Sequence, residues 1–183
     1  MTRCAGCGFV VSTDTEPEVT DDQQVADYDE TAFAEAGERI VATVAEVVSL
    51  LEGTDAAALR VRPDPGTWSR LEYACHMRDV LIVQRERALR ARVVECPDIE
   101  RMGREERVEH DGYAEQHPVD VARQLTEFAR LFTGVLARLG PQDWSRTLNY
   151  NWPDDRPRTL RWLAMHTLHE MVHHREDIRS QAG

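Results

Sequence analysis

Hydrophobic positions recur at helical spacing in four separate stretches of the chain. From Glu30 onward, Phe33, Ile40, Val44, Val47, Val48 and Leu51 fall three or four residues apart, the stripe of an amphipathic helix that ends before Gly53. Residues 61–67 then place two prolines and a glycine where regular structure would have to continue, and Trp68 after them is expected to plug the end of the helical body. Ser69-Arg-Leu-Glu72 has the form of a capping box, in which the serine hydroxyl accepts from an orphan N–H and the glutamate reaches back to the Ser69 N–H. A second helix therefore begins at Arg70 and carries Leu71, Ala74, Met77, Val80, Leu81 and Leu89 to about Val94.

Cys96-Pro97 closes that helix, and residues 97–117 form a long charged crossing with little periodicity, a kind of loop that often covers a site. After Pro118, the series Val121, Leu125, Phe128, Phe132, Val135 and Leu139 predicts a third helix, closed by Gly140-Pro141. Trp144 to Pro157, with Tyr150 and Trp152, reads as a loop or a short hairpin, and a fourth helix runs from about Thr159 to Ser180. Four amphipathic patterns without a strand series predict an all-α fold, a four-helix bundle over residues 30–183, in which metal sites lie between facing helices. Ahead of it, residues 1–29 form a leader: Cys4-Ala-Gly-Cys7-Gly8-Phe9, then an acidic, Thr-rich stretch of irregular structure.

Composition narrows the partners. The formal charge of -11 over 183 residues repels phosphate backbones and anionic lipid, so neither nucleic acid nor a membrane is expected as a partner. All 22 basic residues are arginine, a mark of a GC-rich genome. No apolar run is long enough to span a bilayer, and Met1 to Val11 lacks the apolar core of a signal peptide. The expected location is the cytoplasm, where Cys4, Cys7, Cys75 and Cys96 stay reduced and serve metal binding, redox chemistry or plain burial.

Chemistry concentrates in the histidines. Five of the seven lie on the second and fourth helices, four of them in His166-Thr-Leu-His169-Glu170-Met-Val-His173-His174. Side chains one turn apart share a face, so the ligand pair is either His169 with His173 or Glu170 with His174. Relative to the apolar stripe centred near Met171, the second pair lies roughly 90° away and the first roughly 170°. Glu170 and His174 are thus the pair that can face inward, with His169 and His173 as the alternative. His166, His169 and His173 are expected on an outward face that would suit a homodimer. On the second helix His76 shares a face with Val80, Val83 and Arg87, and Asp79 lies one turn further round, where its carboxylate could support a ligand or a bound water.

Two imidazoles and a carboxylate leave coordination positions open for water or substrate, whereas a purely structural zinc takes four ligands. Zinc, nickel and iron all accept such a set. Cys4-x-x-Cys7-Gly8 is half of a zinc knuckle, a candidate second, structural zinc site, with Cys96, His110 and His117 as chemically suitable completing ligands. Cys75 and Cys96 singly read as buried small hydrophobes.

The motifs Trp68-Ser69-x-x-Glu72-x-x-x-His76-x-x-Asp79 and Glu170-x-x-x-His174-x-x-Asp177-Ile178, spanning about residues 30 to 180, resemble those of the DinB/YfiT-like superfamily. That superfamily includes metal-dependent thiol S-transferases and mycothiol-dependent maleylpyruvate isomerases, and the isomerase-like branch also carries Glu at the position of Glu170. The resemblance implies a divalent ion on His76, Glu170 and His174 that activates a low-molecular-weight thiol, mycothiol in a mycothiol-using bacterium, to attack an electrophile. Arg87 would anchor an anionic substrate. The Cys4 and Cys7 leader is not part of the superfamily's common core. Two rival readings use the same ligands: a non-catalytic metal-binding or stress-response module, and an iron(II) oxygenase.

Overall fold

The computed structural model describes residues 2–4, 10–11, 30–151 and 155–181. Its long helices are α1 (Ala36–Glu52), α2 (Arg70–Val93), α4 (Pro118–Leu136) and α5 (Leu160–Ser180), with the short α3 (Arg104–His110) between α2 and α4. Two small antiparallel pairs complete the elements: β1 (Thr2–Arg3) with β2 (Val10–Val11), and the hairpin of β3 (Thr147–Asn151) with β4 (Asp155–Thr159).

The predicted stripes meet in one core. Ile40, Val44 and Val47 from α1, Leu71 and Leu81 from α2, Leu125 and Phe132 from α4, and Leu163 and Met171 from α5 are all buried, each worth roughly 1.5–3 kcal/mol of transfer free energy. α1 and α2 each pack on both α4 and α5 while barely touching each other. Consecutive long helices α1 and α2 therefore sit on a diagonal, and the connection through residues 53–69 crosses the bundle end. The same holds for α4 and α5, joined through the β3–β4 hairpin.

The capping box forms as the sequence predicts. Ser69 Oγ accepts from the Glu72 N–H at 3.3 Å, and the Ser69 N–H donates to Glu72 Oε2 at 2.8 Å. Arg62 Nε also donates to Glu72 Oε2, at 2.8 Å. This fixes the start of α2, and His76 follows two turns in.

The crossing between α2 and α4 differs from the sequence expectation. It contains α3, whose seven residues include none that is buried, so it has no apolar stripe to read. Gly103, ahead of α3, adopts φ +67, a left-handed conformation that costs glycine little. The crossing is also pinned to the hairpin: the Asn149 N–H donates to Pro97 O at 2.9 Å and the Ile99 N–H to Asn149 O at 3.3 Å. Arg146 ties the hairpin to α2 by donating to the Ala91 and Val94 carbonyls at that helix's C-terminal end. Residues 101–106 are thereby laid beside the gap between α2 and α5.

α5 starts at Thr159, whose hydroxyl accepts from the Trp162 N–H at 3.0 Å. It is covered by α1, α2, β4 and the 3-10 turns Glu30–Glu35 and Asp143–Ser145, and is buried nearly all round. No described helix is long and apolar enough to cross a membrane.

Candidate metal centre

α2 and α5 bring His76, Glu170 and His174 together. Glu170 Oε2 lies 3.7 Å from His76 Nε2 and 3.6 Å from His174 Nε2, and one ligand atom from each residue falls within 4.8 Å of the others. The two imidazole rings meet edge to face, with centroids 4.9 Å apart. Among the alternative pairs, Glu170 and His174 are the ones that face His76, while His169 and His173 group with Cys4.

The donor set fits a divalent ion. Its separations exceed hydrogen-bond length and approach the span of about 3.4 Å between nitrogen and oxygen ligands of a tetrahedral zinc. His174 Nδ1 donates to Asp177 Oδ2 at 2.7 Å, which leaves the Nε2 lone pair aimed at the Glu170 carboxylate. A lone pair facing a carboxylate is repulsive unless a cation or a proton lies between them. His76 Nδ1 is buried and has no hydrogen-bond partner among the described residues.

Electrostatics follow from burial and from these neighbours. Burial pushes the His76 imidazole below its ordinary pKa. Burial also pulls on His174, but the Asp177 and Glu170 carboxylates outweigh it and raise the imidazole to about 9. Burial would lift the Glu170 carboxyl, yet the two facing imidazoles hold it well below the carboxylate range. Without an ion, His174 is therefore a cation at neutral pH, set between the Asp177 and Glu170 carboxylates.

The walls are aromatic below and cationic above. Trp68, expected as a plug of the bundle end, is half-buried and meets His76 edge to face with ring centroids 5.2 Å apart, and Tyr73 stacks on His174 with centroids 5.3 Å apart. A cleft of about 440 Å³ opens over Glu170, whose side chain is 22% exposed against 3% for His76. Arg87, Arg101, Arg104, Tyr150 and His166 line it. Arg87 donates to Tyr150 Oη at 2.7 Å and to the Glu100 carbonyl, and its guanidinium lies 4.9 Å over the Tyr150 ring.

Several expectations require correction. Asp79 does not support the metal site: it accepts from Arg78 Nε and Arg107 Nη1, both at 2.8 Å, and from Tyr113 Oη at 2.9 Å, on the side of α2 toward the crossing. His166 and His169 are buried rather than exposed, because the hairpin and the N-terminal segment cover the face of α5 that the helical wheel leaves to solvent. His166 stacks on Trp162 at 4.7 Å, and burial drives both imidazoles to about 4. The exposed-histidine argument for a homodimer thus loses its basis.

Cys4 is buried, with Sγ 3.6 Å from His173 Nδ1, while Cys7 lies outside the described residues. Cys96, His110 and His117 do not join it: Cys96 Sγ contacts Asn149 Oδ1 at 3.8 Å, and both histidines are exposed. Cys75 is a buried thiol pushed up to about 12 by desolvation. The sequence reading missed Tyr73, Arg101, Arg104, Tyr150 and His166 as cleft or ring neighbours. His166 was recoverable, since it stands one turn before Glu170 on the same helix face; Arg101, Arg104 and Tyr150 arrive through tertiary structure alone.

Comparison with known proteins agrees with this architecture. A solved structure, YfiT from Bacillus subtilis, superposes with a TM-score of 0.75 at 16% identity, covering 92% of this chain and 91% of that one. YfiT is described as a probable metal-dependent hydrolase with an unusual four-helix bundle topology. No curated protein matches. The DinB superfamily model matches residues 20–178, and the chain belongs to the DinB superfamily.

Proposed function

We propose that this protein is a metal-dependent enzyme that activates a low-molecular-weight, mycothiol-like thiol for attack on an anionic electrophile. One observation carries the reading: His76, Glu170 and His174 converge where His76 and Glu170 line an open cleft, and among the described residues no fourth His, Cys, Asp or Glu joins the trio. An incomplete sphere suits catalysis, while a structural site would be closed. Zinc is the first candidate, with nickel and iron also suited to two imidazoles and a carboxylate.

A divalent ion there would lower the pKa of a bound thiol or water and so supply a nucleophile at neutral pH. The chain's own groups do the rest. Asp177 holds the His174 Nδ1 proton and fixes the tautomer that presents Nε2. Trp68 and Tyr73 shield the ligand imidazoles from water. Arg87, held by Tyr150 and the Glu100 carbonyl, lines the cleft with Arg101 and Arg104, a cationic rim that selects an anionic substrate although Glu105 and Glu106 stand among it.

The test measures metal content and thiol consumption with a panel of electrophiles. Wild type is expected to consume thiol in a metal-dependent way, and His76→Ala to lose both the ion and the activity. Equal metal in the two proteins, with no thiol consumed by either, overturns the proposal. Likeness to a structure described as a hydrolase favours a second reading, in which water replaces the thiol. Metal-dependent ester or amide cleavage without added thiol would select it. Oxygen uptake dependent on iron and inhibited by zinc would instead select an oxygenase.

A further inference from the structure

One cluster of metal-ligating side chains takes no part in the cleft. Cys4, His169 and His173 place one ligand atom each within 4.8 Å of one another, although Cys4 and His173 stand 169 positions apart in sequence. Cys4 and His169 are buried, and the His169 and His173 rings, one turn apart on α5, lie nearly parallel with centroids 5.5 Å apart. Imidazoles at that spacing on one helix can serve a single ion.

The distances suit zinc. A tetrahedral zinc with sulfur at about 2.3 Å and nitrogen at about 2.05 Å separates the two donors by about 3.6 Å, and Cys4 Sγ lies 3.6 Å from His173 Nδ1. The other ring nitrogen of His173 faces Asp177 Oδ2 at 3.8 Å, the direction from which a carboxylate orients a metal-bound imidazole. A thiolate donor also selects zinc over the oxygen-seeking ions magnesium and calcium. In the sequence, Cys4-x-x-Cys7 has the spacing of paired zinc thiolates.

We propose that Cys4, His169 and His173 form a second zinc site, separate from the cleft, that fastens the N-terminal segment to α5. The two centres use adjacent residues of one helix, His169 and His173 in one and Glu170 and His174 in the other, and share no donor. Asp177 stands between them, 2.7 Å from His174 Nδ1 and 3.8 Å from His173 Nε2. The clip would therefore steady the helix that presents the cleft's ligands. This inference does not depend on the chemistry proposed for the cleft.

Elemental analysis of zinc-loaded, dialysed full-length protein tests it, with cobalt(II) substitution as a second readout. Wild type is expected to hold two equivalents, His76→Ala one, Cys4→Ser one, and the double variant none. Cobalt-loaded wild type and His76→Ala should show sulfur-to-cobalt charge transfer in the near ultraviolet, and Cys4→Ser should lose that band. His169→Gln/His173→Gln, which keeps the thiol, should also lose the band and one equivalent, with circular dichroism reporting that the bundle persists. Absence of the band from wild type, or an unchanged band and stoichiometry in Cys4→Ser and the histidine double variant, reduces the contact to a thiol–imidazole hydrogen bond and overturns the proposal. Loss of metal from His76→Ala alone speaks only to the cleft.

Discussion

His174 is gripped from both sides of its ring, by Asp177 at Nδ1 and by Glu170 facing Nε2. Burial opposes its charge, but the two carboxylates win and raise the ion-free imidazole to about 9. A metal ion has to expel that proton, so apparent metal affinity should climb about tenfold per pH unit up to about pH 9 and then level off. Chelator competition across pH 6–10 measures this, and a flat profile would contradict the assignment of His174. Ion-free stability runs the other way. A pKa raised above its ordinary 6.5 contributes stability that is full below 6.5 and lost as pH rises through about 9. The Tm of chelator-treated protein should therefore fall over that window while metal-loaded protein holds. Asp177→Asn removes the carboxylate charge behind the His174 ring and should weaken metal binding about 10- to 100-fold, with helix content unchanged by circular dichroism.

Element by element, local chemistry was legible where neighbours in sequence settle it. Ser69 and Glu72 satisfy each other's orphan groups within one turn, so the start of α2 could be read without tertiary knowledge. Ser69→Ala should cost about 1 kcal/mol in urea denaturation and leave metal stoichiometry intact, since His76 lies two turns downstream. The stripes of α1 and α4 were equally readable, because each of those helices buries one face. α5 was not: a helical wheel assumes a solvent side, and this helix has almost none. That is why Glu170 and His174 could be ranked above His169 and His173 as partners of His76, while the burial of His166 and His169 was missed. α3 escaped for the opposite reason, having no buried residue to mark its phase. Tyr150 was visible as a residue of the polar connection, but its place on Arg87 depends on the β3–β4 register and on the crossing that the hairpin pins.

Across the whole molecule, the diagonal placement of α1 opposite α2 puts α2 and α5 side by side, so the candidate ligands, nearly a hundred residues apart, meet only when the bundle is folded. An ion that binds the folded state alone stabilises it by mass action, about 2.7 kcal/mol at a free concentration one hundred times Kd. For a domain of this length each kcal/mol moves Tm by about 2–4 °C, so zinc at that concentration should raise the Tm of ion-free wild type by about 5–10 °C per occupied site. His76→Ala removes the increment of the cleft and Cys4→Ser that of the proposed clip, and their losses should add if the centres are independent. A loss in the double variant well short of the sum would point to coupling through Asp177, the carboxylate that stands between His173 and His174. A shift that survived in the double variant would place the stabilising ion at neither site, and differential scanning calorimetry of the four proteins, with and without chelator, distinguishes these outcomes.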